Sequence, residues 1–345
     1  MTVTIALDAM GGDNGPKIVV PAALRVLSEY KGKVRLILVG DEKLLRRSLR
    51  LLRAPNDPNL VIHHATQVVT MDEPPSSAVR HKRDSSMRVA LNLVKNGTAQ
   101  ACVSAGNTGA LMAMAHFVLK NIPGVERPAL ITKFPCMNEG NRGTRVLDLG
   151  ANIDATPERL FQFAVMGSVL SAAVEDIDRP KIGLLNIGVE QIKGNEQVKQ
   201  ANELLLQCKA LNYIGYVEGD DFFKGEVDVV VCDGFTGNCA LKASEGSAKL
   251  IYTFVKTGFA KSIFTKIAGL LILPILKNIR KKIDPARYNG ASLLGLNGIV
   301  IKSHGNTTII GFTNAIEEAI REVEKDVPQR IREQVSILLQ NRENV

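Results

Sequence analysis

Five stretches concentrate Gly, Asn and Asp directly after short apolar runs: "ALDAMGGDNGP", "VSAGNTGAL", "LDLGANIDATPERL", "LLNIGVEQIKGNEQ" and "CDGFTGNCALK". Small residues let backbone N–H groups approach a ligand, and a helix opening after such a loop favours an anion. Binding of phosphate, or stabilisation of an acyl oxyanion, suits a rim of this kind. The first stretch carries Asp8, Gly11, Gly12 and Asn14, the second Gly106, Asn107, Thr108 and Gly109, and the third Asp148 and Asn152. The fourth gathers Glu190, Lys193, Asn195 and Glu196, where a lysine can pair with phosphate or meet developing negative charge. The fifth offers Asp233 and Asn238 around two glycines, and "KSHGN" sets His304 between Ser and Gly. Tight turns and helix caps explain any one of these loops. Five of one character, each at a strand end, point to one shared site.

Other chemistries find no residues to carry them. Neither G-x-G-x-x-G nor G-x-x-x-x-G-K-[ST] occurs, so a dinucleotide or nucleoside triphosphate has no fingerprint. No G-x-S-x-G elbow appears, and no cysteine has the surroundings of an activated nucleophile. His63, His64, His81 and His116 lack metal-ligand spacing. Neither a cofactor nor a metal is expected. If an acyl group moves, attack is direct, which suits phosphate because it brings its own oxyanion. A thiolate leaving group needs little protonation, a free thiol having a pKa of about 8.5.

The elements that must position these residues alternate. Strands are expected at Val3–Leu7, Val34–Val39, Leu60–His63, Ala101–Ser104, Ala129–Thr132, Arg145–Leu149, Lys181–Leu185, Tyr213–Val217, Val227–Cys232, Gly298–Ile301 and Thr307–Ile310. Helical patterns fill Pro16–Tyr30, Ser85–Asn96, Pro157–Glu175, Asn195–Leu206 and, with Pro328 inside it, Asn314–Gln340. Apolar runs separated by helices predict an α/β fold, with a mostly parallel sheet covered on both faces. In such sheets ligands sit at the carboxyl ends of the strands, which is where the five loops lie.

The formal charge of +8 is local: between Glu245 and Asp284 stand eight Lys or Arg and no acid. Such a patch marks one interaction surface. Its core, "FAKSIFTKIAGLLILPILKNIRKKID", reads as a helix, a break at Pro274 and a second helix. Phe259, Ile263, Ile267, Leu270 and Leu271 share one face of the first helix, with Lys266 opposite. Ile275 and Ile279 share a face of the second, opposite Lys277, Arg280 and Lys281. The segment is too interrupted to span a bilayer and suits an anionic membrane interface. Five cysteines with no C-x-x-C pair fit a reducing compartment, and residue 3 begins a strand pattern rather than a signal peptide.

"ALDAMGGDNGP", "MDEPPSSAVRHKRDSSM", "VSAGNTGALMA", "LDLGANID", "LLNIGVEQIKGNE", "VCDGFTGNCALKASEG", "NGASLLGLNG" and "KSHGN" occur in this order between about residues 3 and 325. Together they resemble the bacterial phosphate acyltransferase family, the acyl-acyl-carrier-protein:phosphate acyltransferases of phospholipid synthesis. The resemblance implies a Rossmann-like three-layer α/β/α sandwich similar to the phosphotransacetylase and isopropylmalate dehydrogenase group. It implies a single catalytic domain over residues 1–345, with an amphipathic helix–break–helix protruding at about 252–284. The implied reaction moves a long-chain acyl group from acyl carrier protein to inorganic phosphate, and the acyl-phosphate goes on to a membrane glycerol-3-phosphate acyltransferase. The implied protein is a homodimer, cytoplasmic, held peripherally on the inner face of the cell membrane and bound to no nucleic acid. Asn107, Thr108 and their glycines would then hold phosphate, Lys193 and Asn238 the tetrahedral oxyanion. His304 or Asp233 would orient phosphate or take its proton. The basic segment would meet membrane, the acidic carrier protein or the other subunit. A phosphotransacetylase-like enzyme using acyl-CoA is the alternative, and a non-enzymatic membrane- or nucleic-acid-binding protein a more distant one.

Overall fold

The computed structural model describes residues 2–137, 143–260 and 289–343, together with Phe264, Ile272 and Pro274. The described residues carry the strands β1 (Val3–Asp8), β2 (Val34–Gly40), β3 (Leu60–His64), β4 (Ala101–Ser104), β5 (Ala129–Phe134), β6 (Thr144–Leu147), β7 (Lys181–Leu185), β8 (Asn212–Val217), β9 (Val229–Val231), β10 (Ala291–Leu294) and β11 (Ile299–Lys302). All of them join one sheet in the order β3-β2-β1-β4-β11-β10-β5-β6-β9-β7-β8. Seven of its ten strand pairs are parallel; β11–β10, β10–β5 and β5–β6 are antiparallel.

Three reversals in a row have a consequence. The β6, β9, β7 and β8 group runs opposite to the β3, β2, β1, β4 and β11 group, so their carboxyl ends lie at opposite edges of the sheet. The five Gly/Asn/Asp loops therefore do not share an edge. Those after β1 and β4 lie at one edge, with the β11 loop; those after β6, β7 and β9 lie at the other. Loop composition records what a strand-to-helix turn needs and is blind to strand direction, which long-range pairing decides.

Helices cover both faces. On one face α4 (Ser86–Lys95) and α5 (Thr108–Leu119) pack with Ala6, Cys102, Val146, Val230 and Val300 of the strands. On the other, α1 (Pro16–Tyr30) and Phe312 and Ile316 of a late helix cover one half. There α6 (Pro157–Glu175) covers the second half through Phe163 and Leu170. Asn195 and Thr156 open α7 (Glu196–Gln207) and α6 by accepting from backbone N–H groups one turn in, as helix starts require.

Three local expectations change. Thr307–Ile310 is no strand: Thr308 caps a helix, accepting from Gly311 N. The helix expected over Asn314–Gln340 is two, Ile309–Glu324 and Val327–Glu343. Asp326, with φ 48°, turns the chain between them, and Pro328 falls in the first turn of the second. Strand β10 was not expected, because four residues between glycines make too short an apolar run to stand out. The shorter helices α2 (Glu42–Leu51), α3 (Pro75–His81) and α8 (Asp221–Lys224) each give one residue to the core, Leu45, Ala78 and Phe222. The 27-residue α9 (Gly234–Ala260) follows β9; α10 (Ile309–Glu324) and α11 (Val327–Glu343) end the described chain.

Candidate active site

A cavity of about 900 Å³ opens over the central strands, on the face that carries α5. Register explains its floor. Ser104 pairs with both Asp8 and Lys302, and Lys302 with Ala291; cross-strand partners share a face. Leu130, Thr132 and Phe134 alternate along β5 onto the same face and line the cavity, as do Ala291 and Lys302. From α5 come Thr108, Gly109 and Met112, and from α9 Asn238, Leu241, Lys242, Glu245 and Ile251. The space lies between the two helices, above strands where the sheet changes direction, which is where open α/β sheets leave a crevice.

One corner is polar. His304 is half-exposed, and its Nε2 lies 3.1 Å from Oε1 of Glu245. Lys242 Nζ lies 2.9 Å from the other oxygen of that carboxylate. Burial pushes the His304 imidazole below its usual range, while Glu245 works to hold it up. Its loop is fixed by Asn289, whose Oδ1 accepts from His304 N at 3.0 Å. The Asn289 amide donates to Ser303 Oγ, Thr307 Oγ1 and Gly311 O at 2.7, 3.0 and 2.8 Å. Lys302 is 8% exposed, and its Nζ donates to Ser303 O. Burial pushes its ammonium down to about 8, against the pull of Asp8 and Asp13.

Asp8 lies beneath this corner rather than in it. It is fully buried and accepts from Ser86 Oγ and Ser104 Oγ, both at 2.6 Å. Burial raises its pKa and the two hydroxyls lower it. A Cβ on Gly11 would stand 2.4 Å from its Oδ2, so glycine is required there for close approach. Gly12, at φ 82°, abuts Ala105 and Gly305, and Asp13 N donates to Gly305 O at 3.0 Å. Asn14 O accepts from Lys17 N as α1 begins. Gly106 N donates to Ser104 Oγ at 3.1 Å. Asn107 caps α5 through Ala110 N, and its amide donates to Met71 O and Glu73 O, both at 2.9 Å. Thr108 and Gly109 face the cavity; Asp8, Gly11, Gly12, Asn14, Gly106 and Asn107 build the loops around it.

At the opposite edge, Asp148 is a second buried hub. Its carboxylate accepts from Leu130 N, Ala151 N and Asn152 N, and from Asn152 Nδ2. Asp233 caps α9 through Thr236 N at 2.8 Å. A Cβ on Gly237 would fall 1.9 Å from Asp148 O, so the first turn of α9 is pressed onto that loop. Asn238 lines the cavity here, two helical turns or about 10 Å from Glu245. Lys193 and Glu190 form a solvent-accessible pair at 2.9 Å. Asn195 is taken by the α7 cap, and Glu196 accepts from Gln200. None of these four lines the cavity. The structure thus brings together His304, Thr108, Gly109 and Asn238, and leaves the Lys193 loop apart.

Lys302, Lys242 and Glu245 escaped sequence reasoning. Glu245 meets His304 across 59 residues, a distance no local motif spans. Lys302 did leave a signal: a charge closing the buried run "IVIK". Of the basic segment, Phe259 closes α9; Ile263, Lys266, Ile267, Leu270, Leu271, Ile275, Lys277, Ile279, Arg280 and Lys281 lie outside the described residues. Upstream, Leu250, Tyr252 and Phe254 are exposed on α9. No helix among the described residues is long and apolar enough to cross a membrane.

A family profile described as "Fatty acid synthesis protein" matches residues 3–330. A phosphate acyltransferase of Coxiella burnetii (strain RSA 331) is 59% identical over 345 residues, all of both chains. One of Methylococcus capsulatus is 60% identical over 333 residues, 96% of this chain and 97% of its own. The chain belongs to the phosphate acyltransferase family. Its fold is shared more widely: a phosphotransacetylase from Streptococcus pyogenes superposes with TM-score 0.65 at 20% identity, over 94% of each chain. The EutD phosphotransacetylase of Staphylococcus aureus gives 0.58 at 18%, also over 94% of each. The α/β sandwich is therefore the Rossmann-like one, and the chain is a phosphate acyltransferase of the fatty acid synthesis family.

Proposed function

We propose that this acyltransferase moves a long-chain acyl group from the phosphopantetheine thioester of acyl carrier protein to inorganic phosphate. The acyl-phosphate would then serve glycerol-3-phosphate acylation by a membrane enzyme. The observation that supports this reading is one cavity in which a polar corner, the Lys302 ammonium beside His304, meets an apolar lining of Leu130, Phe134 and Leu241. At about 900 Å³ it falls in the upper part of the range for small-molecule sites.

Phosphate sits at the first turn of α5, where Thr108 and Gly109 face the cavity and the helix start favours an anion. A phosphate oxygen attacks the thioester carbonyl carbon, a C–O bond forms, and the carbonyl pair moves onto oxygen. Collapse breaks the C–S bond and releases the thiolate. The proton carried by monohydrogen phosphate passes to neutral His304 and from it to the thiolate, so acyl-phosphate and free thiol are the products. Glu245 fixes the imidazole and favours its protonated form between the two transfers. Asn238, at the other end of the cavity, supplies an amide for the thioester arm.

Exposed Leu250, Tyr252 and Phe254, continued by the acid-free basic run, support peripheral attachment to the cytoplasmic face of the membrane; the homodimer is proposed on the family resemblance alone. Replacing Leu270 and Leu271 by Glu releases the protein from anionic liposomes on this reading; unchanged flotation counts against it. The decisive assay follows phosphate-dependent release of carrier thiol from a palmitoyl-carrier donor, with palmitoyl-CoA in parallel. The carrier donor is expected to win. Preference for the CoA ester supports a phosphotransacetylase-like reaction, and no phosphate-dependent release from either donor sinks the proposal.

A further inference from the structure

Among the buried polar and charged residues, Lys302 is the one lysine of the described chain. Lysine is almost never buried unless paired, yet among the described residues no carboxylate lies within ion-pair distance of it. An ammonium carries three donors, and Ser303 O accounts for one. The side chain lines the cavity beside His304. A desolvated cation with spare donors, at the wall of a cavity, is short of an anion.

The strands beside it show how it is held. Asp8, Ser104 and Lys302 are register partners on the adjacent strands β1, β4 and β11, so one row carries a carboxylate, a hydroxyl and an ammonium on one face. Ser104 Oγ donates to Asp8 at 2.6 Å, which separates the two charges by one strand instead of letting them pair. Across two strand spacings the carboxylate still favours the charged lysine, without occupying its donors.

We infer that Lys302 is the charge-stabilising catalytic residue of this cavity, contacting the phosphate nucleophile and the carbonyl oxygen as it becomes an oxyanion, and that Asp8 is its positioning residue. The anion site follows from the geometry; its assignment to acyl transfer rests on the reading proposed above. No proton leaves Lys302 in the step. The pair displaced from the carbonyl by the attacking phosphate oxygen is balanced by the ammonium until the C–S bond breaks.

The groups that face Lys302 are Asp8 on β1, Asp13 in the following loop, Lys242 on α9 and His304 beside it. Lys302→Gln should lower kcat/KM for palmitoyl-carrier about 10²–10³-fold, as losing an oxyanion donor does. It should also abolish the rise in melting temperature that inorganic phosphate gives the wild type. The wild-type rate should fall as pH rises through about 8, where the ammonium loses its proton. Lys302→Arg should keep part of the rate and carry that limb upward, because guanidinium does not deprotonate. Asp8→Asn should carry it downward. Ethylamine should restore turnover to Lys302→Ala, which a merely structural lysine would not allow. Turnover within about twofold of wild type in Lys302→Gln, or phosphate protection that is absent from the wild type or kept in the variant, overturns the inference. Protection lost in the variant, with no thiol release even from wild type, leaves the anion site standing and removes the acyl-transfer reading.

Discussion

The two faces of the same central strands carry two charge clusters built on opposite terms. Behind β5 and β6, Arg145 Nη2 bridges Glu175 at 2.8 Å and Glu318 at 3.0 Å. Lys133 returns to Glu175 at 3.0 Å and Arg321 to Glu318 at 2.5 Å. Burial works to raise both carboxyls, and Arg145 with its neighbours holds them below their usual range. Ser292 gives its hydroxyl to Glu322 at 3.0 Å, and among the described residues Glu322 Oε1 and Arg145 Nε are the buried side-chain atoms of this cluster left without a partner. In front, Lys302 has a single backbone acceptor and His304 a single carboxylate. Where charges answer one another the cluster is a clasp between layers. Where donors outnumber acceptors and a cavity adjoins, the missing partner in the proposed reaction is the phosphate anion.

Variants on the two sides should separate accordingly. Arg145→Ala leaves Glu175 to Lys133 and the buried Glu318 to Arg321 alone, and should cost about 3 kcal/mol, the low end for breaking a buried pair, read from the denaturation midpoint, while the folded fraction keeps its rate per site. His304→Asn should reverse that pattern, lowering kcat about 10²–10⁴-fold with the midpoint nearly unmoved. A midpoint collapse there would erase the distinction between the faces. Glu245→Gln tests the dyad more gently. In the proposed reaction neutral His304 takes the proton, so the rate should fall as pH drops through its pKa. Burial already pushes that pKa down and Glu245 holds it up, so the acid limb of kcat/KM should move further down in the variant.

On the other face, burial pushes Glu322 up to about 8. The folded state then holds a proton that the unfolded chain releases near 4.3, so stability drops as pH climbs between those values. Glu322→Gln should flatten that slope. The smallest effect is expected at Lys193. Its loop lies beyond the cavity, so Lys193→Ala should lower turnover at most about tenfold; a loss as deep as that of His304→Asn would bring the loop after β7 into the site.

Much of the frame was legible because it is local. The strands over Ala101–Ser104 and Lys181–Leu185 and the helices over Pro16–Tyr30 and Pro157–Glu175 fall where hydrophobic period and capping residues place them. Thr108 and His304 stood out for similar reasons, as polar residues in strand-end loops. Asp8, Asp148 and Asn107 were visible as special positions, yet the structure occupies them with backbone and hydroxyl partners. The Lys193 loop looked equivalent to the "AGNTGA" loop until the sheet's reversal set them at different edges. Glu245 could not be singled out, since a glutamate on a helix announces nothing about a histidine 59 residues later.

The strand order also fixes when the site can exist. Strands β10 and β11 come from residues 291–302, yet they sit in the middle of the sheet, between β4 at 101–104 and β5 at 129–134. On a ribosome that adds residues from the N-terminus, the flanks are made first and the keystone last. A chain halted before residue 291 holds two half-sheets with raw inner edges, the kind that recruit foreign strands. Such a fragment has no Lys302, no His304 and no cavity floor between them. On the proposed reaction, catalytic competence thus arrives in one late step of synthesis, together with the closure that hides those edges.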